Sequence, residues 1–241
     1  MKKEDNYFLK EYVKKIGSVK DDYESKSIYR YERNKKIKIL KNLLKNTNDN
    51  ILDFGCSNGS YFDIIKDLNF QKIFGLDISS ERLSIANQRG YMTINSVGQK
   101  IPLKDKSFRT IICIDVLVNI LKESDQIEIL KELERILDND SHLILSIPNK
   151  KAFDLTNTLN KITKKRKRTL SDYNTMFEVD KMIEILTRMN FQIEKVSPIL
   201  FIYPERIAKI PLLISINDFI FGKILHLKDY GYITYIKARK K

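Results

Sequence analysis

A chain of 241 residues with 42% hydrophobic content is long enough to bury one substantial core, and its 5 prolines and 8 glycines are too few for a long disordered linker. Its 2 cysteines and 2 histidines have no disulfide or metal-ligand spacing, so we expect a reduced, cytoplasmic protein without a metal site. The first residues contain no apolar run, so a secretory signal is not expected. A net charge of +13 leaves nucleic acid open as a partner.

Helical and extended patterns alternate along the chain. Apolar residues at helical spacing predict a helix over 33–44, which ends at the polar run of residues 46–50. Apolar strands are expected near 50–54, 73–76, 92–94, 110–114 and 143–147, and helices near 59–68, 80–89, 124–137 and 179–189. This alternation predicts an α/β fold with a Rossmann-like, doubly wound and mainly parallel sheet that carries helices on both faces.

The first predicted strand runs into a glycine-containing loop. Asp53 lies where the strand ends, and the spacing Gly55-x-x-x-Gly59 allows backbone to approach a ligand without an intervening Cβ. Gly59 opens a helix whose first amides face the bend. The second strand ends at Asp77, an acidic residue about 20 positions further on, where a ribose diol is bound in nucleotide sites. These residues predict a nucleotide-cofactor site.

Charge indicates which cofactor the loop holds. A dinucleotide places its pyrophosphate against a G-x-G-x-x-G loop, and here the carboxylate of Asp53 would repel it. A nucleoside triphosphate loop of the form G-x-x-x-x-G-K-S/T is absent from the sequence. The ammonium and sulfonium groups of S-adenosylmethionine would instead be attracted to Asp53. We therefore predict S-adenosylmethionine as the cofactor.

Five stretches, taken in order, are similar to those of one known family. The chain resembles the class I S-adenosylmethionine-dependent methyltransferases, of the type 11-like group, over roughly residues 35–195. The stretches are 52–59, similar to L-D-x-G-C-G-x-G, 75–79, similar to G-x-D-x-S, 101–108, similar to L-P-F-x-D-x-S-F, 130–137, similar to L-x-E-x-x-R-v-L, and 143–149, a strand that ends in Pro-Asn.

The resemblance implies a seven-stranded sheet and a set of cofactor-binding residues. A sixth strand near 191–197 and a seventh near 231–238 complete the family's pattern, in which the last strand is antiparallel. The crevice is expected outside the carboxyl ends of the first, second and fourth strands. The cofactor-binding residues expected there are Asp53, Gly55, Cys56, Gly59, Asp77, Ile78, Val97, Gly98, Ile114 and Asp115.

Four residues depart from the family's pattern. Ser57 replaces the middle glycine of the loop, which requires a negative φ or an accommodated serine. Val97 stands where an acidic residue usually binds the adenine amino group, so adenine is expected against the backbone of residues 97–98 and the side chain of Ile78. Arg109 and Asn119 replace a usual aspartate and a frequent histidine. Methyl transfer requires alignment more than a base, so we assign no catalytic residue.

Segments beyond the cofactor-binding core indicate the acceptor. We expect a single domain over 1–241, with N-terminal cover helices in 1–46, the core in 47–150, and insertions at 151–178 and 199–230. Residues 161–168 carry six cationic side chains, and the second insertion contains an apolar run, residues 211–221, that is too short to span a bilayer. The hypothesis is an amphipathic acceptor with an anionic head, such as a lipid-linked sugar, at an anionic membrane surface.

Two alternatives stay open. The net charge raises RNA or DNA as an acceptor, ranked behind small-molecule and lipid acceptors. The basic residues are dispersed, and the fourth strand ends in Ile114-Asp115-Val116-Leu117 rather than a base-methylation signature. The departures at Val97 and Arg109 are also compatible with a non-catalytic cofactor-binding or partner subunit. The acceptor molecule, the methylated atom and the oligomeric state cannot be read from the sequence.

Overall fold

The computed structural model describes residues 27–45, 49–162, 175–201 and 228–241, together with residues 216, 219 and 220. The helices in these ranges are α1 Ser27–Leu43, α2 Phe62–Lys66, α3 Ser80–Gln88, α4 Glu123–Ile136, α5 Lys150–Ile162 and α6 Val179–Arg188. The strands are β1 Asn50–Phe54, β2 Lys72–Asp77, β3 Met92–Asn95, β4 Phe108–Cys113, β5 Leu137–Pro148, β6 Phe191–Phe201 and β7 Gly231–Lys240. Short 3-10 turns cover Leu117–Asn119 and Lys228–Tyr230.

The seven strands form one sheet in the order β3-β2-β1-β4-β5-β7-β6. The pairs from β3 through β5 are parallel, whereas β7 is antiparallel to both β5 and β6. The predicted doubly wound sheet with an antiparallel last strand is therefore confirmed. The strand order reverses between β1 and β4, so a crevice opens at their carboxyl ends.

Helices cover both faces of the sheet, which is why its central strands are almost entirely buried. In α4 the buried positions are 126, 129, 130, 133 and 136, the three-and-four spacing of one helix face. That face packs with α6 on one side of the sheet. Helices α1, α2 and α3 contribute to the core on the other side, through Leu40, Leu43, Ile65, Leu83 and Ala86.

Four elements differ most from the sequence-based expectation: helix α1 begins at Ser27 rather than at 33, β6 extends to Phe201 rather than 197, and α5 and β5 differ as follows. Helix α5 occupies Lys150–Ile162, at the start of a segment expected only to be an insertion. Strand β5 begins at Leu137, directly after α4 and six residues before the predicted start at 143. The polar residues 138–140 resemble a loop, but pairing of Leu137 with Phe108 extends the ladder past them.

No helix among the described residues is long and apolar enough to cross a bilayer. The same residues contain no group of three or more His, Cys, Asp or Glu side chains placed to hold a metal ion. Most of the basic segment 161–168 and most of the insertion 199–230, with its apolar run 211–221, lie outside the described residues.

Candidate functional site

The loop after β1 is bent by two glycines in left-handed conformation. Gly55 and Gly59 both have φ of +76°, a region that residues with a Cβ rarely adopt. A Cβ on Gly55 would overlap the side chain of Val116, and one on Gly59 would lie 2.9 Å from Cε2 of Tyr91. The amide of Gly55 donates to the carbonyl oxygen of Leu76 at 2.7 Å, which ties the bend to β2. Both predicted glycines are thus needed for this backbone path.

Ser57 occupies the position where the family has glycine, and its φ is positive, at +52°. Its amide donates to Oδ2 of Asp77 at 2.9 Å, and its hydroxyl accepts a hydrogen bond from the guanidinium of Arg82. These two contacts hold the serine in a conformation that costs a non-glycine residue about 1–2 kcal/mol. The serine is accommodated despite a positive φ.

Asp77 joins the loop to the start of α3. Its Oδ2 accepts from the amide of Ser57 and its Oδ1 accepts from the amide of Ser79, each at 2.9 Å. Each carboxylate oxygen has a second lone pair, so both retain capacity for a ligand hydroxyl. The neighbouring Ile78 side chain is 38% exposed, which leaves an apolar surface beside the carboxylate. This combination suits a ribose diol and an adjacent base.

Asp53 lies beneath the loop, with only 2% of its surface exposed. The hydroxyl of Tyr91 donates to its Oδ2 at 2.7 Å. The pKa of Asp53 is raised to about 7, mainly by burial and also by the charge of Asp77, while the Tyr91 hydrogen bond acts in the opposite direction. The charge of Asp53 is therefore titrated near neutral pH, and its contact with a cofactor stays a prediction.

Tyr91 is a site residue that the sequence did not reveal. It precedes β3 and is 2% exposed, and its ring lies against the positions of Gly59 and Gly75, where a Cβ would approach to 2.9 and 2.7 Å. The ring of Phe62 packs against it with centroids 5.0 Å apart. Gly59 and Gly75 leave room for the Tyr91 ring, but their spacing in the sequence does not indicate that they face the same aromatic residue.

Four other predicted cofactor residues, Cys56, Val97, Gly98 and Ile114, are buried or half-buried. Cys56 and Ile114 are buried, at 2% and 5% exposure, and burial raises the pKa of the Cys56 thiol far above its ordinary value. A Cβ on Gly98 would meet the ring of Phe54 at 2.6 Å, so this glycine permits close packing. Val97 is half-buried. Contact of these four with a cofactor stays a prediction.

Asp115 follows β4 in a left-handed conformation, with φ of +57°. Its amide donates to Oγ of Ser146 at 2.9 Å, and that hydroxyl donates to its Oδ1 at 3.1 Å. Nζ of Lys36, from α1, donates to its Oδ2 at 2.8 Å. The side-chain amide of Asn119 donates to the Asp115 carbonyl oxygen at 2.8 Å. The carboxylate is therefore fixed at the carboxyl edge of the sheet.

Arg109 lies at the other end of β4. Its guanidinium is 3.6 Å from Asp49 and 3.9 Å from Asp138, beside a polar cavity of about 310 Å³ at the amino edge of the sheet. His142, near the same edge, is 3.3 Å from Glu194. The departure at Arg109 thus concerns a surface remote from the glycine loop.

The comparisons with known proteins agree with this geometry. Residues 52–145 match the family model described as "Methyltransferase domain". An uncharacterised protein of Methanocaldococcus jannaschii is 31% identical over 100 residues, which are 42% of this chain and 41% of that protein. The chain thus matches less than half the length of this curated relative.

Two solved structures share the fold. A structure described as an S-adenosylmethionine-dependent methyltransferase of Thermotoga maritima has a TM-score of 0.64 at 19% identity, covering 89% of this chain and 91% of that one. A protein of Pyrococcus horikoshii has a TM-score of 0.63 at 18% identity, covering 94% and 99%. At this identity the likeness concerns the fold.

Proposed function

We propose that this chain is a class I S-adenosylmethionine-dependent methyltransferase and that it transfers a methyl group from S-adenosylmethionine to a small-molecule or lipid-linked acceptor. The match of residues 52–145 to a methyltransferase-domain model supports the proposal. One observation carries the proposal above the others: the carboxylate of Asp77 binds the amide of Ser57 in the glycine loop and keeps lone pairs for a ribose. A loop and a ribose carboxylate joined in this way form a nucleoside site at the strand-order reversal.

The described residues fit S-adenosylmethionine by shape and by charge. Asp77 would hold the ribose hydroxyls, and the exposed face of Ile78 would pack against adenine. The bend at Gly55 and Gly59 offers a backbone surface that a Cβ would fill. Asp53 would attract the positive charge of the ligand from beneath the loop. When bound, the cofactor supplies a methyl group activated by a sulfonium.

The acceptor proposal rests on the sequence that follows α5 and on three exposed residues of the apolar insertion. Helix α5 begins two residues after β5 ends at the carboxyl edge and leads into the basic segment 161–168. Three described residues of the apolar insertion, Ile216, Phe219 and Ile220, are 45%, 55% and 36% exposed. Basic side chains together with exposed apolar ones suit an amphipathic acceptor with an anionic head, presented at an anionic membrane surface.

Flotation with vesicles tests the membrane part of the proposal. The protein is mixed at low salt with vesicles of phosphatidylglycerol and phosphatidylcholine and, separately, of phosphatidylcholine alone. We expect it to float with the anionic vesicles and to be released at 0.5 M salt, because the attraction is screened. A protein that stays at the bottom of the gradient with both vesicle types contradicts the membrane-surface proposal.

Label transfer tests the reaction. The protein is incubated with methyl-labelled S-adenosylmethionine and cell extract, and the products are divided into lipid, polar small-molecule, protein and nucleic-acid fractions. We expect label in the lipid or the polar small-molecule fraction. Label confined to nucleic acid or protein would contradict the acceptor class, and transfer to none of the fractions would contradict the proposed activity.

A further inference from the structure

A group of ionisable side chains lies beside the residues proposed above to hold the cofactor. It includes Asp115, a cofactor-binding residue by the sequence-based expectation, which we reassign below to the acceptor. It consists of Glu32 and Lys36 on α1, Tyr61 after the glycine loop, Asp115 after β4, and Tyr235 on β7, and we call it the Lys36 cluster. Elements distant in the chain thus bring two carboxylates, one ammonium and two phenols together. They meet where the carboxyl edge of the sheet faces α1.

Lys36 is the centre of this cluster. Its Nζ is 2.8 Å from Oε1 of Glu32 and 2.8 Å from Oδ2 of Asp115, and only 16% of its side chain is exposed. Burial alone would lower its pKa, but the two carboxylates raise the pKa well above its ordinary value. Lys36 is therefore a permanent cation. One ammonium between two carboxylates leaves the cluster with a net negative charge.

Tyr235 provides an independent observation. Its side chain is 0% exposed, and its hydroxyl has no hydrogen-bond partner among the described residues. It pairs across the ladder with Ser146, whose hydroxyl holds Asp115, so Tyr235 and Ser146 project from the same face of the sheet. Burial and the nearby negative charge of Asp115 raise the Tyr235 pKa, which keeps the phenol protonated. A buried polar atom without a partner indicates a place for a ligand's polar group.

The Asp115 carboxylate is exposed enough to accept a hydrogen bond from such a group. Its side chain is 42% exposed although both oxygens have a partner in the protein, Ser146 for Oδ1 and Lys36 for Oδ2. Each oxygen has a further lone pair. The ion pair ties this carboxylate to α1, and β1 separates β4 from β2, the strand that ends at Asp77. This placement favours the acceptor rather than the cofactor as its ligand.

We propose that the Lys36 cluster binds the reacting group of the acceptor, that this group is a hydroxyl or an amine, and that Asp115 takes its proton. The inference rests on the proposed methyl transfer. A carboxylate acceptor is disfavoured by the net negative charge, whereas a group with an O–H or N–H can donate to Asp115 and accept from the Tyr235 hydroxyl. Lys36 is a positioning residue that holds the Asp115 carboxylate in place.

The step balances without another reactant. A lone pair of the acceptor oxygen or nitrogen forms the bond to the methyl carbon, the bond from that carbon to sulfur breaks, and its electron pair stays on sulfur. The proton of the acceptor moves to a free lone pair of Asp115, which later returns it to water. Proton transfer to a positioned carboxylate contributes about 10²–10⁴ in rate.

The chemistry of the transferred methyl group tests the proposal directly. Labelled product from cell extract is treated with alkali, which releases methanol from methyl esters, and with hot hydriodic acid, which releases methyl iodide from O-methyl and N-methyl groups. We expect label that is stable to alkali and released by the acid. Alkali-labile label, or label that survives both treatments on carbon, overturns the inference but leaves the proposed function intact. A wild type that transfers no label defeats the proposed function itself.

Variants separate Asp115 and Lys36 from the cofactor site. We expect Asp115→Asn to lower the rate of label transfer by at least 100-fold, while S-adenosylhomocysteine binds within threefold of wild type in calorimetry. Lys36→Met should lower the rate without loss of S-adenosylhomocysteine affinity, and Lys36→Arg should restore the rate. Lys38→Met, on an exposed position of the same helix, is the matched control. A tenfold loss of S-adenosylhomocysteine affinity in Asp115→Asn, or an unchanged rate in Lys36→Met, refutes the assignment.

Melting temperature tests the unpartnered phenol without any substrate. Tyr235→Phe removes only the hydroxyl, and since that hydroxyl has no partner among the described residues, we expect the melting temperature to stay equal or to rise. The rate of label transfer should fall in the same variant. A melting temperature lowered by 4 °C or more would show that the hydroxyl is bonded within the protein and would remove it from the acceptor site.

Discussion

The carboxyl group of Asp53 gives the protein a pH dependence that can be worked out from the structure. Its pKa is raised from 3.8 to about 7 by burial. The folded state therefore holds this proton at pH values where the unfolded chain has lost it, so stability falls as the pH rises from about 4 to about 7. Each pKa unit corresponds to about 1.4 kcal/mol, which makes the ionised group destabilising by roughly 4 kcal/mol above that range.

Asp53→Asn removes the titration and keeps the size of the side chain. Its amide oxygen still accepts from Tyr91, so the perturbation is confined to charge. From pH 5 to pH 8 we expect the free energy of unfolding of the wild type to fall by about 2.5 kcal/mol relative to this variant. Binding of S-adenosylmethionine should weaken by about tenfold or more at pH 8, since a cation loses an anionic neighbour worth about 1–4 kcal/mol.

Urea denaturation at half-unit pH intervals measures the first effect, and calorimetry measures the second. Asp67→Asn, on an exposed carboxyl group, is the control and should give a stability difference from wild type that varies little with pH. A wild-type minus Asp53→Asn difference that is equally flat between pH 5 and pH 8 would refute the reasoning. So would an affinity for S-adenosylmethionine that the variant leaves unchanged at pH 8.

Two further substitutions test the support beneath the loop. Gly59→Ala places a Cβ 2.9 Å from Cε2 of Tyr91 at a φ of +76°. We expect this variant to lose about 2 kcal/mol or more of unfolding free energy in urea denaturation. The control Ser60→Ala, at the exposed next position, should stay within about 0.5 kcal/mol of wild type. An equally stable Gly59→Ala protein would contradict the described bend. Tyr91→Phe removes the hydrogen bond to Asp53 and should raise that pKa further, so the midpoint of the rise in S-adenosylmethionine affinity with pH should move upward. A midpoint that stays in place or moves downward would contradict this role of Tyr91.

The arrangement of the sheet could be predicted because its signals are local. Short apolar strands, helical spacing and the loop residues Gly55 and Gly59 lie within a few positions of one another, and they agree with the observed order of elements. Helix α5 was missed since the charged residues at its start and after it dominate the composition of the segment. The early start of β5 was missed because strand pairing with Phe108 overrides the loop-like residues 138–140.

The contacts that define the site are long-range, and sequence spacing carries little information about them. Tyr91 reaches Asp53 across 38 positions, and Lys36 reaches Asp115 across 79. Neither pair belongs to a motif, and each forms only after the sheet has assembled. From the sequence, a serine at position 57 required either a negative φ or contacts that accommodate it. The structure shows a positive φ, with hydrogen bonds to Asp77 and Arg82 that hold the residue there.

The central claim is that the edge formed by β1 and β2 binds a cationic nucleoside and does not bind a dinucleotide. Calorimetric titration of the wild type with S-adenosylmethionine, S-adenosylhomocysteine and NADH tests this most directly, with Asp77→Asn measured alongside. We expect both sulfur nucleosides to bind and both to weaken by about 10–100-fold in Asp77→Asn, as for lost hydrogen bonds to a charged group, with no heat from NADH. Binding of NADH in place of either nucleoside, or no binding of S-adenosylmethionine at all, would contradict the account.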